Sequence, residues 1–185
     1  ILLSSLDGAA ITSIKIDGVL HEFSTIPGIR EDVTDIILNL KQLCIKVEED
    51  AQLPLEVHFD FQKDGVLTAA DLAEQFPPEV EVLNPELVIA TMDETAHLVM
   101  DVVIERGKGY VPSTKNKKDT DVIGCIPIDS IFSPILRAKY EVSDVRVGNE
   151  MDFDKLTLEV WTDGSITAAD AVAKSAAIMI GYLGN

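Results

Sequence analysis

From Leu43 to Phe61 the apolar residues recur at every second position. Leu43, Ile45 and Val47, and after them Leu53, Leu55, Val57, Phe59 and Phe61, alternate with mostly polar neighbours. Successive side chains of an extended chain point to opposite faces, so a period of two predicts half-buried strands. Further strands are expected at residues 79–83, 87–92, 97–106 and 122–128, and later at 131–142 and 154–161. The segment VPSTKNKKDTD at 111–121 reads as a solvated, mobile loop.

Elsewhere the pattern takes the helical period. In REDVTDIILNLK, residues 30–41, Val33, Ile36, Ile37 and Leu40 recur at i, i+3, i+4 and i+7. Glu31 and Asp32 precede them where the positive end of a helix dipole favours acid. The opening ILLSSLDGAA places Leu2, Leu3 and Leu6 on one side of a helix, with Gly8 positioned to stop it. Asp17 and Gly18, between AITSIKI and VLHEF, predict a β-hairpin turn. A last helix is expected from Thr167, with Ala169, Val172, Ala173, Ala176, Ala177, Ile180 and Leu183 on one broad face. Ala171, Ile178 and Met179 fill much of the other side, so one sheet cannot cover this helix. A second identical chain is the economical source of the missing surface. DGVLTAAD at 64–71 and DGSITAAD at 163–170 share capping-box spacing, Thr68 with Asp71 and Thr167 with Asp170, which is turn-and-cap grammar rather than a domain repeat.

The chain has 185 residues, with 15 Lys and Arg against 32 Asp and Glu, a net charge of −17. That balance argues against direct contact with nucleic acid or an anionic membrane surface. With 46% hydrophobic and 25% charged residues the composition is that of a globular protein, one large domain or two small ones. Cys44 and Cys125 lie in apolar runs and form no CxxC pair, so they read as reduced core thiols of a cytoplasmic protein. No apolar stretch approaches the roughly 20 residues of a membrane span, and no signal peptide is expected.

DFQKDGVLTAAD, residues 60–71, imitates a calcium loop with Asp60, Gln62, Asp64, Gly65, Leu67 and Asp71 at ligand spacing. Its last position is Asp where a bidentate Glu belongs, and a strand precedes it where a helix should, so a hairpin turn is expected. RGKGYVP at 106–112 leaves a strand and meets Pro112, so it reads as a structural turn rather than a phosphate loop. His21, His58 and His97 have no mutual metal spacing, and no GxSxG motif occurs. No catalytic residue, metal or cofactor is therefore expected.

Four strings carry a family resemblance: GVLHEFSTIPGIREDVTDIILNLK at 18–41, RGKGYVP at 106–112, IPIDSIFSPI at 126–135 and DFDKLTLEVWTDGSIT at 152–167. Together they resemble the amino-terminal domain of bacterial DNA-directed RNA polymerase α subunits. The resemblance implies an α+β fold in two parts. A dimerisation subdomain of helices packed on antiparallel strands, incomplete here, takes residues 1–7 and 142–185, and a β-rich insertion takes residues 8–141. It implies that the family continues beyond both Ile1 and Asn185, into more of the dimer helix on one side and a DNA-contacting domain on the other. Asp7, Ala168 and Ala169 depart from the family, which often has proline near the first and at the helix start.

By resemblance the chain is a non-catalytic scaffold that forms a homodimer and nucleates assembly of the β and β′ subunits, which carry the nucleotidyl-transfer chemistry. The family's β and β′ contacts match Leu3, Asp35, Lys41, Ile135, Val142 and Thr162. The dimer face is expected at Leu2, Leu3, Leu6, Val172, Ala176 and Ile180. Two rivals are weighed against this: a β-rich calcium- or protein-binding module unrelated to transcription, and a hydrolase using paired carboxylates.

Overall fold

A computed structural model describes residues 1–118, 122–147 and 150–184. Along the chain run β1 (Asp7–Ile16), α1 (Val33–Leu40), β2 (Ile45–Val47), β3 (Leu55–Phe61), β4 (Gly65–Thr68) and α2 (Ala69–Ala73). There follow β5 (Val80–Val82), β6 (Val88–Met92), β7 (Leu98–Lys108), β8 (Tyr110–Val111), α3 (Ser113–Asn116) and β9 (Cys125–Pro127). The last elements are β10 (Ser130–Ile131), β11 (Ile135–Val147), β12 (Glu150–Thr162) and α4 (Ala168–Leu183). All pairings are antiparallel, and the fold is α+β and β-rich, as expected.

The centre is a four-stranded sheet in the order β3-β7-β1-β9. Alternation decides its inner face: Val57, Phe59 and Phe61 of β3 and Leu98, Met100, Val102 and Ile104 of β7 are all buried. The Phe59 ring stacks on Phe61 at 5.8 Å and meets the edge of Phe76 at 5.1 Å between centroids. Helix α1 lays Val33, Ile36, Ile37 and Leu40 into this core, each burial worth about 1.5–3 kcal/mol. Its N-cap is Asp32, whose carboxylate accepts the Asp35 N–H at 2.7 Å, satisfying an amide that the helix leaves free. A smaller second core gathers Leu6, Ile135 and Ala171, with Leu2, Val160, Ile166 and Ile178 packed around them. The expected boundary between residues 141 and 142 falls within β11.

Several sequence expectations are corrected. Residues 1–6 make one turn, the Ser5 N–H reaching the Ile1 carbonyl at 2.9 Å, and not a helix stopped by Gly8. Gly8 is already inside β1, where pairing with β7 supplies the backbone partners that a helix would have supplied. The reversal at Asp17 and Gly18 exists, with Gly18 at φ 75°, but residues 19–23 do not pair back on β1. Both edges of β1 are taken by β7 and β9. For the same reason Gly65 turns the chain without making a hairpin, since β3 pairs with β7 and β4 with β6.

The loop expected at 111–121 contains α3, and its Asn116 is buried, donating to the Ile128 carbonyl at 2.7 Å and the Ser130 hydroxyl at 3.0 Å. Residues 119–121 of that expectation lie outside the described residues. The strand expected at 131–142 is two, because Pro134 carries no amide hydrogen and separates β10 from β11. Cys44 and Cys125 are only partly buried, and burial pushes the Cys44 thiol up, aided by Asp163 and Glu86.

Candidate functional site

The end of α1 is tied to the chain leaving β9. Lys41 Nζ meets Asp129 Oδ2 at 3.0 Å, and Asp129 Oδ1 accepts the Ser113 N–H at 3.0 Å. The Ser113 amide and the Lys41 ammonium hold the Asp129 carboxyl below its ordinary range. Lys41 thus closes a bridge from α1 to the turn before β10. Asp35 stands free on the exposed side of α1, and Leu38, one turn on, shares that side and is half exposed.

Strands β11 and β12 form a two-stranded ribbon in which Ile135 pairs with Thr162 and Val142 with Leu156. Cross-strand partners share a face and every second residue returns to it, so Ala138, Tyr140, Val142, Leu156, Leu158 and Val160 form one apolar stripe. It lies open: Tyr140 is 74% exposed, Leu156 65% and Val142 55%. The opposite face is polar, with Arg137 over the Trp161 ring at 4.7 Å and Lys139 facing Glu159 at 3.8 Å. The family resemblance points to Val142 but not to its neighbours Tyr140, Leu156 and Leu158. The signal for Leu156 and Leu158 is the alternation in KLTLEVW, and for Tyr140 that in AKYEV at 138–142.

Helix α4 turns Ala171, Ser175 and Ile178 toward its own chain. Its N-cap Thr167 accepts the Asp170 N–H at 3.1 Å, as the spacing predicts. The face expected to meet a second copy is outside: Val172 is exposed, Ala176 partly so, and Ile180 is 70% exposed. Leu3 is exposed beside the half-buried Leu2. Leu6 and Ile135 are different. Both are buried in the second core and present no surface, because the turn before β1 and the start of β11 close over Ala171.

His58 and His97 are engaged on the sheet's outer face, and His21 lies in the loop after β1. His58 pairs with Asp101 at 2.6 Å, His97 with Asp60 at 2.8 Å, and His21 meets the Ser24 hydroxyl at 3.2 Å. Asp71 accepts from Lys63 at 2.5 Å and from the Thr68 amide at 2.8 Å, which lower its carboxyl pKa against the opposing effect of burial. Asp60 and Asp71 of the calcium-like string are therefore bound to separate neighbours. Among the described residues no group of three His, Cys, Asp or Glu is arranged to hold a metal. Burial opposes ionisation of Glu31, but the Thr91 amide and hydroxyl outweigh it and hold the carboxyl low. Local donors thus favour the ionised form of Asp71 and Glu31, a structural use of acid. No helix is long and apolar enough to cross a membrane among the described residues.

Residues 14–133 match the family described as the RNA polymerase Rpb3/RpoA insert domain. The chain is also similar to proteins named DNA-directed RNA polymerase subunit alpha. That of Carboxydothermus hydrogenoformans is 56% identical over 99% of the chain and 57% of the relative. The one from Moorella thermoacetica is 53% identical over 98% of the chain and 57% of the relative. A third, from Leptospira biflexa, is 53% identical over 98% of the chain and 56% of the relative. The chain thus spans a little over half the length of these curated relatives.

Proposed function

The chain belongs to the RNA polymerase Rpb3/RpoA insert domain family, and from that membership we propose that it acts as a docking scaffold of DNA-directed RNA polymerase. In this reading it pairs with a second copy of itself and receives the large β and β′ subunits, which perform nucleotide addition in the cytoplasm. Residues 8–141 form the inserted subdomain, and residues 1–7 with 142–185 the dimerising one.

The observation that carries the proposal is the open apolar stripe on the β11–β12 ribbon beside the open face of α4. Most of a protein of net charge −17 is well solvated, yet Tyr140, Val142, Leu156, Val172 and Ile180 face outward. Contiguous apolar surface of this kind is costly in water and marks contact with protein. Leu3, Val172, Ala176 and Ile180 suit the self-contact. Asp35, Lys41, Val142 and Thr162 suit the large subunits, with Lys41 acting through its bridge to Asp129. Leu6 and Ile135 support these surfaces from beneath.

The test is binding of separately purified β subunit to the intact subunit and to Val142→Glu. A desolvated carboxylate in an apolar contact weakens binding at least ten-fold, while an exposed position leaves the unfolding transition in place. Equal binding by both proteins would remove the ribbon from the docking surface.

A further inference from the structure

We infer that Phe132, seated in a notch formed by Gly8 and Gly107, is a positioning residue that holds the two halves of the docking surface at a set angle. The inference rests on the reading that α1 and the β11–β12 ribbon both receive partners.

Gly8 and Gly107 are register partners on β1 and β7, so the missing side chains open a gap on one face of the sheet. A Cβ on Gly107 would lie 2.7 Å from Cδ2 and Cε2 of the Phe132 ring, and one on Gly8 would lie 2.0 Å from the Phe132 carbonyl oxygen. Space, not backbone conformation, demands glycine at both positions. The buried Phe132 is held further by its own N–H, which donates to the Gly109 carbonyl at 2.8 Å. It belongs neither to the main core nor to the second core, and lines a cavity between Gly8, Ile45 and Arg106 on one side and Asp163, Ile166 and Lys174 on the other.

The chain on either side of the ring runs to the two docking halves. Asp129, three residues before, grips Lys41 at the end of α1, and Ile135, three residues after, pairs with Thr162 at the root of the ribbon. Ser130 and Ile131 of that stretch are fixed as β10 on β8, so from Phe132 to Ile135 the chain reaches only about 10 Å, at ~3.3–3.6 Å per residue, and it is there that the ribbon has room to pivot. Among the described residues, the ion pair that joins α4 to the sheet body is Lys174 to Glu49, at 3.4 Å. Both of its side chains are exposed, and such pairs contribute little. A cavity of about 140 Å³, lined by Gly8, Arg106, Phe132 and Lys174, adjoins the notch, so packing there is sparse apart from the ring. With Leu6 buried in the second core just before β1, the wedge is a buried tie that gives the junction one orientation.

The experiment uses the intact subunit with Cys44 and Cys125 replaced by Ser and spin labels at Leu38→Cys on α1 and Tyr140→Cys on the ribbon. Pulsed dipolar spectroscopy reads the distance distribution between them, and β binding is measured on the unlabelled subunit with Leu38 and Tyr140 in place. Gly107→Ala is expected to broaden or shift that distribution and to weaken binding of purified β subunit at least ten-fold. Adding Phe132→Leu to Gly107→Ala, which makes room for the new methyl group, is expected to recover much of both. Phe132→Ala empties the notch from the other side and is expected to broaden the distribution even if Gly107→Ala fails to fold. A distribution as narrow in Phe132→Ala as in the unsubstituted protein overturns the wedge. Broadening with undiminished β binding shows that the angle does not matter for docking and overturns the positioning role. Failure of the unsubstituted subunit to bind β removes the docking reading and is distinguished by the distance measurement, which stands apart from it.

Discussion

Reversing the charge of Lys41 separates its role inside the chain from any role in docking. In Lys41→Glu a carboxylate takes the place of the ammonium that now stands 3.0 Å from Asp129 Oδ2. The side chains are 24% and 34% exposed, so the pair lies between the surface and the interior. Removing the attraction alone, as in Lys41→Met, is expected to cost at most about 1 kcal/mol. Two like charges about 4 Å apart add about 1–4 kcal/mol of repulsion as the effective dielectric falls from water's value toward 20, so Lys41→Glu should lose about 1–3 kcal/mol after side-chain relaxation. Urea denaturation of the unpartnered chain measures both, and a salt series should shrink the difference between them as exposed charges are screened. The double variant Lys41→Glu with Asp129→Lys should recover most of the loss.

The pH dependence of the same pair has a definite sign. The Asp129 carboxyl is held low by the Ser113 amide and Lys41, so its folded pKa lies below its unfolded one. Its contribution is present above the unfolded pKa and fades as pH falls through the folded pKa. The penalty of Lys41→Met should therefore vanish in acid. A Lys41→Glu protein as stable as the original at neutral pH and low salt, with no gain from Asp129→Lys, would refute the bridge and leave Lys41 free for a partner.

Other perturbations read other parts of the fold. Phe59→Ala empties a fully buried position against Phe61 and Phe76 and should cost about 3–5 kcal/mol by urea denaturation; a loss under 1 kcal/mol would mean the core collapses to fill it. Thr167→Ala removes the hydroxyl that caps α4 and should lower stability by about 1 kcal/mol, with fraying of the helix start visible by hydrogen exchange at the Asp170 amide. Sedimentation equilibrium of this chain should show a weak homodimer that Ile180→Glu abolishes, and a strict monomer at high concentration would count against the proposed self-contact. His58→Ala and His97→Ala, which only break exposed pairs with Asp101 and Asp60, should leave nucleotide addition by a reconstituted polymerase unchanged; lost addition with normal assembly would give one of them a chemical role.

What the sequence by itself determined is whatever depends on neighbours along the chain. The spacing of Val33, Ile36, Ile37 and Leu40 specifies which side of α1 is buried, and the alternation of Val57, Phe59 and Phe61 does the same for β3. Thr167 with Asp170 marks the start of α4 because a cap acts within one turn. The quoted strings likewise carried the family.

Tertiary structure decided everything that turns on pairing at a distance. Asp17 and Gly18 allow the chain to reverse, but β1 takes β7 and β9 as partners, and no local rule states that preference. Leu6, Ile135 and Ile180 are alike in chemistry. Two are buried against Ala171 and one faces solvent, because apolarity requires cover without saying whose. Nothing near Lys41 in the sequence points to its partner, because the fold brings Asp129 to it from 88 residues away. The notch is the clearest instance: Gly8 and Gly107 read separately as a helix stop and a turn, and only their register on adjacent strands makes them one seat for Phe132.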